Sequence, residues 1–391
     1  MTRVVMILSN PFRPDPRVLK EAESLSTAGF DMTVICWDRL SELPPEEILT
    51  SGVKVVRLQN IPSTYGAGAR QILRLPAFWR AALKKLEPLK PALVHCHDFD
   101  TLPAGLWWGW RHNVPVVYDA HEYYAELVRP RLSGIMGKWI YEAIRRAELW
   151  CAGHADAVIT VDETLGDIYR QRNSKVLIVG HYPSINLIPE PAEVFSHPEM
   201  NLLYVGRLSA DRGALVYTRL LRKLLARGIP ARLHLAGRFV PAAEQEAFNQ
   251  EAQGLETNIH DHGWVTYDRL PGLLGSVDVG LAILLPEPRY VAALPVKLFE
   301  YMAAGLPIIA SNFPSIREVV NSSNCGLLVD PLGDLDELAA HLAEWWRQPD
   351  VPRSLGRAGR SSVLDRYNWE NLATQLDCLY HDLTASQVSA G

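Results

Sequence analysis

Cysteine is scarce. The five in this 391-residue chain, Cys36, Cys96, Cys151, Cys325 and Cys378, are odd in number, far apart and without a CxxC pair. That pattern argues against a zinc or dithiol redox motif and fits a reducing compartment. No apolar run approaches the length needed to span a bilayer. The first one, Val4 to Leu8, is broken by Ser9-Asn10-Pro11 and has the length of a buried strand rather than a signal peptide. A cytoplasmic protein is therefore expected, one that at most lies against a membrane surface. An excess of positive charge is missing too: the net charge of -5 argues against wholesale nucleic-acid binding. Finally, Ser9 to Arg17 contains no glycine. A dinucleotide-dependent dehydrogenase would carry Gly-x-Gly-x-x-Gly there.

What is present is the composition of a globular enzyme, 48% apolar and 21% charged, in a chain longer than one core usually serves. Short β-branched runs alternate with amphipathic stretches, the pattern of parallel sheets built from βαβ units. One set runs through Val4–Leu8, Met32–Cys36, Val53–Leu58, Ala92–His95, Val114–Tyr118, Ala157–Val161 and Val176–Val179. A second runs through Asn201–Val205, Leu233–Ala236, Ile259–Gly263, Val279–Ile283, Ile308–Ala310 and Gly326–Val329. The expected organisation is a first α/β domain over residues 1–184, a second over 185–368, and a helical tail over 369–391. Ligands of such sheets sit at the carboxyl ends of the strands, so two facing sheets suggest a cleft lined by both sets of loops.

Three stretches carry chemistry. In Ala293 to Ser311 a proline near the start and Gly305 near the end bracket a short helix that feeds a strand. The first-turn amides around Val296, Lys297 and Leu298 offer an anion site. Lys297 and Glu300, three apart, share a face: the lysine suits a phosphate and the glutamate suits ribose hydroxyls. An ordinary surface ion pair is the alternative. In Leu202 to Gly213 a strand ends at Gly206, placing Arg207 at its carboxyl end and Arg212 near the next helix. Two guanidinium groups there can clamp a diphosphate, unless Arg212 is merely solvated and Arg207 pairs with a carboxylate. The third stretch, Val116 to Tyr124, delivers His121 into a strand's exit loop, where it can bond a sugar or serve structure alone. His95-Cys96-His97-Asp98 invites a metal reading, but no third and fourth ligand stands at a recognised spacing.

Taken together these residues resemble the GT-B fold, retaining glycosyltransferases of family 4 (glycosyl transferases group 1). The resemblance rests on Gly206 to Gly213, on the Lys-Leu-Phe-Glu-Tyr-Met-Ala-Ala-Gly-Leu-Pro run ending at Pro307, and on Gly326 to Pro331. It implies two Rossmann-like domains and a nucleotide-diphosphate sugar donor; because two arginines and a helix N-terminus can neutralise the diphosphate, no cofactor or metal is expected. It further implies that Arg207 and Arg212 meet the diphosphate, Glu300 the ribose and His121 the donor sugar, and that the C-terminal helix crosses back to the first domain. Base recognition is expected near Trp264 and Val265. Two departures stand out. The family often has Glu-x7-Glu, yet the residue eight before Glu300 is Ala292. Its glycine-rich loop after the first strand is replaced by Ser9 to Arg17, where Asp15 and Arg17, with His97 and Asp98, are candidates for the acceptor side; a salt bridge fixing the loop is the other reading of Asp15 and Arg17.

The expected activity is transfer of a sugar to a glycan, lipid-linked or small-molecule acceptor in cell-surface polysaccharide or glycoconjugate synthesis. A catalytically impaired GT-B scaffold and a GT-B sugar-nucleotide epimerase are the rival readings. Basic and aromatic residues mixed between Arg70 and Lys90 suggest peripheral membrane contact there, against an amphipathic helix packed on the sheet.

Overall fold

A computed structural model describes every residue except 14, 64–72, 189, 292 and 389–391. The chain divides into two units, Met1–His181 with Leu372–Gly391, and Tyr182–Asn371.

The first unit is an eight-stranded sheet in the order β3-β4-β2-β1-β5-β6-β7-β8, with β1 Arg3–Leu8, β2 Asp31–Trp37, β3 Glu46–Ile48, β4 Lys54–Leu58, β5 Leu93–His97, β6 Val116–Ala120, β7 Ala157–Thr160 and β8 Val176–Ile178. All neighbours are parallel except β3, which runs antiparallel to β4. Its central strands are buried on both faces, as continuous Val/Ile/Leu runs require. Helices α1 (Pro16–Thr27), α2 (Leu75–Leu89), α3 (Leu102–His112) and α4 (Gly134–Ala152) belong to this unit. The second unit is a six-stranded parallel sheet, β11-β10-β9-β12-β13-β14, with β9 Met200–Val205, β10 Ala231–Ala236, β11 Ile259–Gly263, β12 Val279–Ala282, β13 Ile308–Ser311 and β14 Gly326–Val329. Helices α5 (Ala214–Ala226) and α6 (Val296–Ala303) follow β9 and precede β13. The last helix, α7 (Trp369–Val388), begins in the second unit, and from Leu372 onward it belongs to the first.

In each sheet the strand order reverses at one place, between β1 and β5 in the first and at β9 in the second. Ligands of open α/β sheets bind at such reversals. The loops leaving β1, β5 and β9 carry Asp15, Asp98, Arg207 and Arg212, and His97 closes β5.

Three expectations shift. Strand β5 extends to His97 and β6 to Ala120, beyond the ends suggested by apolar runs. Polar residues continue these strands because their side chains bond one another in the interior. Strand β3 went unread because its three residues, Glu-Glu-Ile, carry no apolar pattern. Helix α2 buries Leu75, Phe78, Ala82 and Leu86, and Phe78 stacks on Trp37 with ring centroids 5.0 Å apart. The apolar side of the 70–90 stretch is thus spent on the sheet, while its residues 70–72 lie outside the described ones. Among the described residues no helix is long and apolar enough to cross a membrane.

Candidate functional site

In the first unit a buried polar cluster closes the carboxyl ends of β5 and β6. Asp119 is its hub. Its Oδ2 lies 2.9 Å from His97 Nδ1, 3.1 Å from His121 Nε2 and 3.6 Å from His95 Nε2. Burial opposes charge on Asp119, but the facing histidines outweigh it and hold the carboxyl well below its usual range. The same burial, set against the pull of Asp119, lowers His97 and His121 to about 4. The self-consistent state is one carboxylate receiving N–H bonds from neutral imidazoles. His97 and His121 then each keep a lone pair, on Nε2 and Nδ1, and neither atom has a hydrogen-bond partner among the described residues.

His95 is oriented from the other side by the Tyr380 hydroxyl of α7. Glu21 of α1 approaches His95 Nε2 at 3.9 Å, and burial together with Asp119 raises its carboxyl well above the usual range. Glu21, His95, His97 and Asp119 bring four ligand atoms within 4.8 Å of one another. The third and fourth metal ligands that no sequence spacing suggested are therefore present in space. They were illegible because one comes from a helix and the other falls just past Tyr118, where the apolar run ends and a loop is expected.

At the rim of this cluster Asp15 caps α1 by accepting from Arg17 N, pairs with the Arg17 guanidinium at 3.2 Å and accepts from Asn10 Nδ2 at 3.1 Å. The loop-fixing salt bridge is thus formed. Asp98 sits at φ +62°. Burial, then Asp100 and Asp119, push its carboxyl up to about 8 despite Arg17, so near neutral pH it is mainly a donor. His97, expected to bind substrate, is 0% exposed: it orients Asp119 and His121 instead of meeting a ligand.

In the second unit the loop leaving β9 turns on two left-handed glycines, Gly206 at φ +122° and Gly213 at φ +83°. A Cβ on Gly213 would lie 2.2 Å from the Ile283 carbonyl oxygen, so no side chain fits there. A Cβ on Gly206 would lie 3.2 Å from Lys297 Nζ, which brings the lysine to the loop. Arg207 Nη2 and Arg212 Nε both donate to the Tyr290 hydroxyl, at 3.3 and 3.1 Å, and that hydroxyl donates to Asp211 Oδ2 at 3.1 Å. Arg212 also lies over the Tyr290 ring, 5.2 Å from its centroid. Arg212 is therefore not merely solvated, and among the described residues Arg207 pairs with no carboxylate.

Lys297 is buried, and its Nζ has no hydrogen-bond partner among the described residues. It rests 3.7 Å from the centroid of the Tyr204 ring. Burial first, and the Arg212 charge second, hold its pKa well below the usual lysine value, with Glu300 offsetting only part. Three cationic side chains are thus gathered around one turn with phenols for company. Burying positive charge this way is costly unless an anion arrives.

Glu300 is buried one turn after Lys297, close enough to help push the Tyr267 phenol upward after burial. Leu298 does not fit its expected part, because its side chain is fully buried and its amide donates to the Pro295 carbonyl at 3.0 Å. Val296 stays at the exposed edge of α6. Beyond β11, Trp264 is exposed with the Arg238 guanidinium 5.9 Å from its ring centroid, and Val265 packs against the core. Ala292, the position of the missing glutamate, lies outside the described residues. Tyr290, Tyr204, Asp119, Glu21 and Tyr380 were missed as site residues. Only Asp119 carried a signal, a carboxylate two residues before His121.

Residues 14–179 match the family described as Glycosyl transferase 4-like domain, and residues 199–348 match Glycosyl transferases group 1. A glycogen synthase of Mycobacterium tuberculosis is 23% identical over 91% of this chain and 88% of its own. A phosphatidyl-myo-inositol mannosyltransferase of Mycobacterium leprae is 22% identical over 94% and 92%. The solved sucrose-phosphate synthase of Thermosynechococcus elongatus superposes with a TM-score of 0.76 at 21% identity, covering 98% of this chain and all of that one. Two parallel-sheet units and family matches across both halves identify the chain as a nucleotide-sugar-dependent glycosyltransferase of the GT-B fold, belonging to the glycosyl transferases group 1 of family 4.

Proposed function

We propose that the chain transfers a sugar with retention from a nucleoside-diphosphate donor, and that Arg207, Arg212 and Lys297 hold the diphosphate without a metal. The observation that carries this is the buried Lys297, without a hydrogen-bond partner among the described residues, beside two arginines that share the Tyr290 hydroxyl. As the glycosidic bond breaks, negative charge grows on the leaving phosphate, and fixed cations aimed at it lower the barrier. The leaving phosphate takes the acceptor proton on the same face, so no general base is assigned. Glu300 accepts from the ribose hydroxyls, and the free Nδ1 of His121 accepts from a sugar hydroxyl. A thermal-shift panel of nucleotides and nucleotide sugars tests the donor class, because a ligand of the native state raises Tm. No stabilisation by any nucleoside diphosphate would overturn it. Donor incubated alone should not be epimerised, and donor incubated with an acceptor should be consumed, which separates transfer from the epimerase and scaffold readings.

For the acceptor we propose a lipid-linked glycan or glycoconjugate, in line with the lipid named in one relative. The surface that would meet its bilayer is not the 70–90 stretch, whose apolar face is buried. Trp107 and Trp110 of α3 and Ile135, Met136 and Trp139 of α4 are all exposed, Trp110 at 83%, and indoles favour the membrane–water interface. Anionic vesicles should pellet the protein, and Ile135→Glu with Trp139→Glu should release it. Pelleting unchanged in that double variant would remove the assignment.

A further inference from the structure

The second unit carries another cluster, remote in sequence from the donor loop and unused by the chemistry above. His234 of β10 faces His260 in the parallel register of β10 and β11, and His262, two residues on, shares that face of the edge strand. The three rings stack: centroids are 5.6 Å apart for His234 and His260, 5.2 Å for His234 and His262, and 4.2 Å for His260 and His262. One ring nitrogen from each lies within 4.8 Å of the other two.

The tautomer of His234 is fixed by its surroundings. Asn201 Nδ2 donates to the Glu199 carbonyl at 3.0 Å and to Asp278 Oδ2 at 3.2 Å, which leaves Asn201 Oδ1 as an acceptor, 3.0 Å from His234 Nε2. His234 Nε2 therefore carries the proton, and its Nδ1 turns a lone pair toward His262 Nε2, 2.9 Å away. A carbonyl that fixes the distal nitrogen of an imidazole is how proteins pre-orient a histidine ligand. Burial falls from His234 through the half-buried His262 to the exposed His260, so the site opens to solvent on one side.

We infer that His234, His260 and His262 form a binding site for a borderline divalent transition ion of the zinc, cobalt or nickel type, with water at the open position. All-imidazole donors suit those ions and not magnesium or calcium. Binding needs no net proton loss: the His262 proton moves from Nε2 to Nδ1, and the freed Nε2 lone pair joins His234 Nδ1 and one nitrogen of His260 on the metal. The ion would clamp β11, the unpaired edge of the sheet, to β10. Such an edge is otherwise the weakest-held part of a sheet.

The probe is Co²⁺ added to the metal-stripped full chain, read by its visible absorption, with Zn²⁺ competition and thermal melts in parallel. One equivalent should bind, give the intense visible bands of a four-coordinate site and raise Tm by about 5 °C at saturating ion. His260→Gln and His262→Gln should each weaken binding at least tenfold and abolish the rise in Tm, while transfer activity without added metal stays at the wild-type level. His341→Gln, an exposed histidine elsewhere, should change nothing. Binding that persists undiminished in the His260→Gln/His262→Gln variant would place the ion on Glu21, His95, His97 and Asp119 and overturn the proposal, as would binding of less than one equivalent that His341→Gln weakens equally.

Discussion

Replacing Lys297 by methionine keeps the length and volume of the stem while removing a buried amine that has no hydrogen-bond partner among the described residues. If the lysine exists to meet the donor diphosphate, the fold should tolerate the change and the reaction should not. An ammonium about 4 Å from a phosphate oxygen contributes ~4 kcal/mol at an effective dielectric of about 20. Loss of one preorganised donor to a developing oxyanion costs about 2.7–4 kcal/mol. Both figures put the loss of kcat between a hundred- and a thousandfold. Stability should move the other way. Because burial and Arg212 depress Lys297 in the folded state, the native protein binds fewer protons there than the unfolded chain does. Wild-type stability therefore rises as pH climbs toward the ordinary lysine pKa, and Lys297→Met should remove that slope and melt no lower than wild type at pH 7. Donor binding should in turn recharge the lysine, so calorimetry in two buffers of different ionisation enthalpy should register proton uptake that the variant lacks. A variant that melts several degrees lower but turns over normally would show that Lys297 serves the core, and would refute the reasoning.

Arg207→Ala and Arg212→Ala should each lower turnover roughly a hundred- to a thousandfold with smaller losses in donor binding, and lysine should rescue better at Arg212 than at Arg207; near-normal turnover in both alanine variants would place the diphosphate elsewhere. Tyr290→Phe, which deletes the hydroxyl shared by both guanidinium groups, should cost about 1.5–3 kcal/mol, or roughly ten- to a hundredfold in kcat/KM, whereas an unchanged value would make that hydroxyl incidental. Glu300→Gln should weaken donor binding in a fluorescence titration without lowering Tm. Because burial lowers His121 to about 4, it is neutral above that pH, and kcat/KM should hold down to about pH 5; an acid limb centred near 6.5 would contradict the neutral imidazole. Transfer should survive a chelator, and the product linkage should be retained by NMR; loss of activity that a divalent ion restores would contradict the first, and inversion the second.

The sheets were legible because parallel strands buried on both faces are unbroken apolar runs, and Gly206 to Gly213 was legible because left-handed turns at close approach demand glycine. Legibility failed where partners meet across the sequence. Tyr290 and Arg207 are 83 residues apart, and nothing in the local pattern marks that tyrosine. The ends of β5 and β6 were set too early since His97 and Asp119 look like loop residues until their mutual bonding is seen. Conversely, the amide of Leu298 looked free, because helix starts leave donors unpaired, yet Pro295 takes it. Aromatic and basic residues between 70 and 90 suggested a membrane face, but spacing alone does not say which side of a helix the sheet will claim.

The bond between Tyr380 and His95 joins residues 285 apart. At about 5–20 residues per second, a ribosome makes Tyr380 roughly 14–57 s after His95. During that interval the early sheet carries a polar cluster with one side uncovered, and Phe30, whose ring meets those of Tyr380 and His381, lacks its cover. A chain that stops short of α7 is thus left with an open histidine cluster as well as an uncapped sheet. Synthesis itself thus delays completion of the buried cluster that holds His121.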